Sequence, residues 1–244
     1  MSDSQENNFY MTGESALLLE TKSNLYIMKE KILTYDGDDI KVTYDLKRCI
    51  HAAKCVDGLP SVFDPNKKPW IQPDKASAGD VADVIETCPT GALQYEMLNA
   101  DRTEKAPSKN RVSLEKDGPV YFYGDIEIQD HEGNTLLEDT RAAICRCGAT
   151  GNGPLCDNSH EKDEFKADTD ADRSKLPEAS AESHDKLIIK MMKDGPAILS
   201  GTYTMESDTF EPQTSSQGVA LCRCGGSTTK PFCDGTHRDI GFEG

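Results

Sequence analysis

The chain has 244 residues, a formal net charge of −16 and nine cysteines, and 36% of its residues are hydrophobic. This hydrophobic fraction is low for a single large core. It favours several small domains that are stabilised by another interaction in addition to the burial of apolar side chains. No run of 18 apolar residues exists that could cross a membrane, and an acidic surface repels nucleic-acid phosphates and anionic lipids. The odd cysteine count and the lack of a secretory signal predict a cytoplasmic protein whose thiols bind metal.

In the N-terminal third of the chain, the sequence predicts a leader over residues 1–24 and a small α+β domain over 25–105. Alternation of apolar and polar residues predicts strands, and Val81, Val84 and Ile85 mark one face of a helix. The predicted order of strand, helix, strand, strand, helix, strand is the ferredoxin-like pattern. The predicted elements are strands over 31–35 and 39–44, a helix from Asp45 through Cys49 towards Lys54, short extended segments over 61–63 and 70–71, a helix over 78–87 and a strand over 92–95.

The rest of the chain contains an internal repeat. Residues 111–165, the first repeat, align without a gap to residues 188–242, the second repeat, and 15 of the 55 aligned positions are identical. Each repeat predicts a strand, a Lys-Asp-Gly-Pro turn, two more strands and a loop rich in metal ligands. We predict domains over 106–165 and 187–244, joined by a charged, Ser/Ala-rich linker over 166–186.

Each repeat brings three cysteines and one histidine into a short segment. Cys145, Cys147, Cys156 and His160 form the first-repeat site; Cys222, Cys224, Cys233 and His237 form the second-repeat site. A Cys-x3-His spacing places two ligands on one face of a helical turn. Three cysteines and a histidine suit a structural zinc ion, although the single-residue gap of Cys-x-Cys is shorter than in zinc hairpins. The alternative is a 2Fe–2S cluster with two ligands on each iron.

These two segments resemble the CDGSH iron–sulfur family. Its motif is Cys-x-Cys-x2-Ser/Thr-x3-Pro-x-Cys-Asp-Gly-Ser/Ala/Thr-His, and both repeats match except at Asn158, where the family has glycine. Asparagine is the next best tolerated residue at positive φ, so we expect ligation to survive. The resemblance implies one 2Fe–2S cluster in each repeat. Members of the family form a dimer with intertwined strands over paired clusters, so two repeats in one chain imply a monomer that contains the same arrangement as an internal pseudo-dimer.

A third group of cysteines, Cys49, Cys55 and Cys88, forms the N-terminal site. Cys49-x5-Cys55 followed by Cys88-Pro-Thr-Gly-Ala-Leu resembles the divergent mono-cluster 4Fe–4S ferredoxin domain over residues 31–97. The middle cysteine of the usual motif is replaced by Ala52. Three thiols suit a 3Fe–4S cluster; alternatively, His51 or another group completes a 4Fe–4S cluster. His51 also fits an ordinary surface histidine, as do His131 and His184, which lack ligand spacing.

The sequence predicts an electron-transfer protein. It lacks dinucleotide, P-loop and hydrolase motifs, and every cysteine belongs to a predicted site, so nothing indicates an enzyme beyond the redox centres. The expected partner is a redox protein. The alternatives are a cluster carrier or redox sensor, whose partner is an apo iron–sulfur acceptor, and a zinc-bound interaction module.

Overall fold

The computed structural model describes residues 31–176, 178–179 and 185–244. The predicted leader over 1–24 and His184 lie outside the described residues. The chain has the predicted α+β class, with an N-terminal unit followed by two β-rich repeats. In these ranges no helix has the length and apolar character needed to cross a membrane.

The N-terminal unit is a three-stranded antiparallel sheet covered by short helices. The strands are β1 (Ile32–Asp36), β2 (Ile40–Asp45) and β3 (Leu93–Met97), in the order β1-β2-β3. Two α-helices, α1 (Lys54–Gly58) and α2 (Ala78–Ile85), and a 3-10 helix (Pro73–Lys75) connect β2 to β3. Val81, Ala82 and Ile85 of α2 are fully buried against Val42 and Phe63 in one apolar cluster, which fixes the segment that leads to Cys88.

The predicted helix through Cys49 is wrong. His51 and Ala53 have positive φ angles of 57° and 58°, a left-handed conformation that no α-helix of L-residues continues through. The segment after β2 is therefore irregular, and α1 begins only at Lys54. The predicted extended pieces 61–63 and 70–71 form no strands; they meet in one antiparallel bridge between Phe63 and Ile71.

The two repeats share one eight-stranded sheet. In the first repeat, β4 is followed by two ten-residue strands, β5 and β6; in the second repeat each long strand is interrupted. The bounds are β4 (Arg111–Leu114), β5 (Val120–Gln129), β6 (Thr135–Ile144), β7 (Leu187–Met191), β8 (Ala197–Ser200), β9 (Tyr203–Glu206), β10 (Gln213–Ser215) and β11 (Ala220–Leu221). The predicted three-strand order of each repeat is thus present, with breaks in the second.

The repeats exchange strand pairings about a pseudo-twofold axis. The first half of β5 pairs antiparallel with β4 of its own repeat, and its second half pairs parallel with β7 of the other repeat. The second repeat mirrors this, because β8 pairs with β7 and β9 pairs parallel with β4. The registers correspond: Val112 lies opposite Met205, and Ile189 lies opposite Ile128. The repeats therefore form an intertwined pair with one continuous core.

Each repeat has a glycine at the point where its long strand changes pairing partner from one repeat to the other. Gly124 has a φ of 148°, and a Cβ at this position would lie 2.1 Å from Oδ1 of Asn110. Gly201, its equivalent, has a φ of 114°, and a Cβ there would lie 2.8 Å from the carbonyl oxygen of Lys186. Only glycine combines these φ values with such close neighbours. The long strand can therefore kink where its partner changes from one repeat to the other.

The segment between the repeats packs against the sheet where it is described. Leu176 is fully buried in the shared core, and the Arg173 guanidinium donates to the side-chain oxygen of Gln213 at 2.8 Å. A 3-10 helix spans Arg173–Lys175. The predicted linker therefore also packs against the shared core through Leu176, although its charged composition does not indicate this contact.

Replacing Ile189 by alanine should destabilise the repeat pair. Ile189 and Ile128 are both fully buried and lie opposite each other where strands of the two repeats meet. Large-to-small substitutions of this kind cost about 2–5 kcal/mol. Denaturant unfolding should show this loss, whereas Ile32→Ala, at a site 48% exposed in the N-terminal sheet, should change stability by less than about 0.5 kcal/mol. Equal effects of the two variants would contradict the intertwined core.

Candidate iron–sulfur sites

The four candidate ligands of each repeat lie as two close pairs. In the first repeat, the Sγ atoms of Cys145 and Cys147 are 3.5 Å apart, and Cys156 Sγ lies 3.4 Å from Nδ1 of His160. In the second repeat, the same separations are 3.7 Å for the two sulfurs and 3.3 Å for Cys233 and His237. Two pairs of donors are what a binuclear cluster requires, one pair for each iron. In the described residues, no three or more His, Cys, Asp or Glu side chains are arranged to hold a single ion.

The two pairs come from two different elements. The Cys-x-Cys pair follows the last strand of each repeat, and its first cysteine is held by a backbone hydrogen bond to the proline carbonyl of the ligand loop. The histidines lie in short helices, α3 (Ser159–Lys162) and a 3-10 helix (Thr236–Arg238). These helices begin after Asn158 and Gly235, whose φ angles of 73° and 96° confirm the expected left-handed conformation.

Aspartates hold the ligand loops in both repeats. Asp157 accepts hydrogen bonds from the backbone nitrogens of Gly151 and Ser159, at 2.8 and 3.0 Å. Asp234 accepts the equivalent bonds from Thr228 and Thr236, at 2.7 and 3.0 Å. Each carboxylate thus joins the start of the loop to the turn that carries the histidine, so the donors of each site are fixed relative to one another.

Side chains at two further aligned positions make equivalent hydrogen bonds in both repeats. The hydroxyls of Thr150 and Ser227 donate to the carbonyls of Leu155 and Phe232, at 2.7 and 2.6 Å. The arginine of each Cys-Arg-Cys segment, Arg146 or Arg223, is buried and donates to two carbonyls at the Lys-Asp-Gly-Pro turn of its own repeat. Each arginine also interacts electrostatically with the first cysteine of the other repeat, Cys222 or Cys145.

The sites of the two repeats lie side by side. A Cβ on Gly148 would lie 2.8 Å from the carbonyl oxygen of Cys224, and a Cβ on Gly225 would lie 2.4 Å from that of Cys147. Both glycines have positive φ angles, 86° and 75°. The Cys-x-Cys loops therefore meet at the pseudo-twofold axis, at a distance that only glycine permits.

The chemistry of the thiols fits a bound cationic centre. Burial raises the pKa of Cys156 to about 12 and that of Cys55 to about 11. In the Cys145–Cys147 pair, a hydrogen bond between the thiols lowers the pKa of Cys145 and raises that of Cys147. Buried thiols with raised pKa values are poor free nucleophiles, and a metal stabilises their thiolates by displacing the proton.

The N-terminal site collects its three cysteines from separate segments. Cys49 lies in the irregular loop after β2, Cys55 in α1 and Cys88 just after α2; all three are half-buried. Cys55 interacts electrostatically with both Cys88 and Cys49. The Tyr44 side chain interacts electrostatically with Cys49, and its ring packs edge-on against Trp70 with centroids 5.0 Å apart. Three thiols thus gather at one side of the N-terminal sheet.

His51 is exposed, and so is Ala52, which occupies the position of the missing ligand. The left-handed backbone at His51 belongs to the loop that carries Cys49. His131, predicted to be a surface residue, is exposed in the turn between β5 and β6.

Sequence reasoning missed Arg141, whose side chain is 3% exposed. Its guanidinium reaches from β6 of the first repeat into the N-terminal unit and donates to the backbone carbonyl of Cys88 at 2.8 Å. One signal was present: the internal alignment places Arg141 opposite Gly218, so this side chain has no equivalent in the second repeat.

Comparisons with known proteins agree with this division of the chain. The family described as "Divergent 4Fe-4S mono-cluster" matches residues 35–97, and the family described as "Iron-binding zinc finger CDGSH type" matches residues 117–161 and 194–238. A curated protein of Escherichia coli strain K12, named "Uncharacterized protein YjdI", is 43% identical over 61 residues, which cover 25% of this chain and 80% of the relative. The protein of the same name from Escherichia coli O157:H7 matches equally. No solved structure matches the chain significantly.

The segments that the two families cover thus coincide with the three thiol-rich sites, one in the N-terminal unit and one in each of the intertwined repeats. The chain therefore belongs to these iron–sulfur families, with one divergent 4Fe–4S mono-cluster domain and two tandem CDGSH-type iron-binding domains.

Proposed function

We propose that this protein transfers electrons through three iron–sulfur centres. Cys145, Cys147, Cys156 and His160 hold one 2Fe–2S cluster, and their equivalents in the second repeat hold another. Cys49, Cys55 and Cys88 hold a 3Fe–4S cluster, or a 4Fe–4S cluster whose fourth iron has a ligand other than cysteine. The partner is a redox protein, and the net charge of −16 favours a partner with a basic docking face.

The observation that carries this proposal is the close contact between the two repeat sites. The Gly148 and Gly225 loops place the Cys-x-Cys segments of the two repeats in van der Waals contact. A fixed pair of adjacent redox centres suits electron exchange, and the protein contributes by setting potentials through ligands, charge and burial.

The test is a potentiometric titration of anaerobically purified protein, followed by visible absorbance and EPR. Electron transfer requires that all three centres titrate reversibly, with full recovery of absorbance after a reductive and oxidative cycle. Irreversible bleaching on reduction would contradict an electron-transfer role.

A second function, delivery of a cluster to an apo iron–sulfur acceptor, is favoured by one observation. His160 is half-buried, whereas His237 is only 9% exposed. A terminal imidazole that solvent reaches is the easiest ligand to exchange. Mixing the loaded protein with an apo 2Fe–2S ferredoxin tests this role: cluster delivery predicts transfer mainly from the first repeat, and no transfer would exclude it.

Replacing Gly225 by alanine should damage both repeat sites together. The new Cβ would press on the Cys147 carbonyl of the other repeat, and its backbone conformation disfavours alanine. We expect reduced iron content in both repeats and an intact N-terminal centre, measured by iron analysis and EPR. Gly133→Ala is the matched control, because Gly133 has a φ of 95° but no atom within 4 Å of the added carbon. Iron loss in Gly133→Ala, or loss from one repeat alone in Gly225→Ala, would contradict the paired arrangement.

A further inference from the structure

The N-terminal unit docks on the first repeat beside its candidate cluster. Ile50, next to the ligand Cys49, packs with Ala143 and Cys156 in one buried apolar cluster. The Asn152 side chain, in the ligand loop of the first repeat, donates to the carbonyl of Lys47 at 3.0 Å. The loop that carries Cys49 therefore packs against one side of the first-repeat site, at Cys156 and the ligand loop.

Arg141 reaches across this interface. Besides the Cys88 carbonyl, its guanidinium donates to the carbonyls of Ile85 at 2.5 Å and Leu93 at 3.1 Å. Glu104 pairs with the same guanidinium at 2.6 Å. A side chain of the first repeat thus holds the end of α2, the Cys88 loop and the start of β3 together.

A buried ion pair reinforces the contact. Arg48 of the N-terminal unit lies 2.8 Å from Asp139 on β6, and both side chains are less than 10% exposed. Arg48 also donates to the carbonyls of Thr90, at 2.6 Å, and Arg141, at 2.9 Å. Because a buried charge is costly without its partner, this pair fixes how the two units dock.

Two tyrosines lie between the sites. Tyr121 and Tyr123 share one face of β5, with ring centroids 6.4 Å apart. Tyr121 packs against the Ile50 cluster and interacts electrostatically with Cys156, whereas Tyr123 interacts with Cys88. Arg111 stacks over the Tyr123 ring at 4.4 Å and fixes its position. An aromatic pair therefore connects the surroundings of the two sites.

The second repeat has none of these groups. The internal alignment replaces each of them by a small or apolar residue or a hydroxyl, which can make neither the ion pair nor the guanidinium contacts. The equivalents of Tyr121, Tyr123, Asp139, Arg141 and Asn152 are Ile198, Ser200, Ser216, Gly218 and Thr229. The first repeat therefore has a docking face that its pseudo-symmetric partner lacks.

We propose that the three sites form a linear series with the first-repeat site in the middle, and that Arg141 is a positioning residue of the N-terminal site. The N-terminal centre couples directly to the first-repeat centre across the Tyr121–Tyr123 interface. The second-repeat centre couples to the first across the Gly148 and Gly225 loops. This inference rests on the proposed three-centre content.

The first test is the microwave power that saturates the EPR signal of the N-terminal centre, measured as a function of potential in the full chain. Reduction makes a 2Fe–2S centre paramagnetic, so the relaxation rate of the N-terminal centre should rise several-fold at the midpoint of the first-repeat centre. His160→Cys should move that step to lower potential, and its pseudo-symmetric match His237→Cys should leave it in place. A step that follows His237→Cys, or no step in wild-type protein, would overturn the proposed order.

The second test is the potential of the N-terminal centre in Arg141→Met. Loss of a positive charge from the Cys88 loop disfavours the reduced, more negative centre, so we expect its midpoint to fall and that of the second repeat to stay unchanged. Arg102→Met is the control, because it also removes a positive charge, but one that pairs with Asp83 of α2 and with Glu86 at the end of that helix rather than with the Cys88 carbonyl. If Arg141→Met does not fold, Arg141→Lys keeps the charge but cannot make all three carbonyl contacts of the guanidinium, so it should give a smaller shift of the same sign. An unchanged potential in the variant that folds, or an equal shift in Arg102→Met, would contradict the positioning role.

These outcomes separate the inference from the proposed function. Relaxation and midpoint shifts report which centres are neighbours, whether or not a physiological partner accepts electrons. Centres that titrate reversibly but pass no electrons to a redox protein would contradict the proposed function, yet leave the order of the sites testable from the EPR signals.

Discussion

Replacing Cys88 by alanine is expected to abolish the N-terminal centre while both repeat centres persist. That site offers only three thiols, from Cys49, Cys55 and Cys88, so the loss of one leaves too few ligands for a ferredoxin-type cluster. We expect the protein to lose the whole of this centre, about three to four iron atoms per chain. Iron analysis and EPR of anaerobically purified protein measure the loss.

Thr87→Ala serves as the control for Cys88→Ala. Thr87 is adjacent in sequence, and its hydroxyl donates to the carbonyl of Val84 within α2 rather than to a thiol. It should retain all three signals. Loss of all three centres in Cys88→Ala would show that the N-terminal unit and the repeats fold only together, and would contradict separate sites.

Replacing either repeat histidine by cysteine is expected to lower the potential of that repeat's cluster. A neutral imidazole becomes an anionic thiolate, which adds negative charge beside iron and disfavours the reduced state. Potentials of iron–sulfur centres respond to this ligand exchange by roughly 100 mV or more. His160→Cys should affect the first-repeat centre and His237→Cys the second, in a potentiometric titration monitored by EPR.

Each histidine variant is the control for the other, because the two sites are equivalent in sequence but distinct in surroundings. The Cys–His separations of 3.4 and 3.3 Å place both imidazoles equally close to their cysteines. Unchanged potentials in both variants would remove the histidines from the ligand sets.

The repeat predicted most of the C-terminal architecture. A gap-free alignment means that any contact at one position has a counterpart 77 residues later, and the register pairs Val112–Met205 and Ile128–Ile189 obey that rule. Local conformation was also predictable, because glycine or asparagine at the turn before each histidine predicts the left-handed backbone that the structure shows.

Features that depend on contact between units were not predictable from local pattern. Asp45 favours a helix through Cys49 as a local cap, but left-handed residues at 51 and 53 carry the loop to its contacts with the first repeat. Leu176 is a single apolar residue in a charged segment, and its burial follows only from the fold. Arg141 lies on a strand with no motif; only its mismatch with Gly218 pointed to a use specific to the first repeat.

The most direct test of the account is the iron, sulfide and zinc content of anaerobically purified protein, combined with quantitative EPR. We predict about seven or eight iron atoms per chain, a similar amount of sulfide and no zinc. The reduced protein should give signals from two distinct 2Fe–2S centres. The ferredoxin-type centre should give its signal in the reduced protein if it is 4Fe–4S and in the oxidised protein if it is 3Fe–4S. A colourless protein with one zinc ion in each repeat would contradict the account.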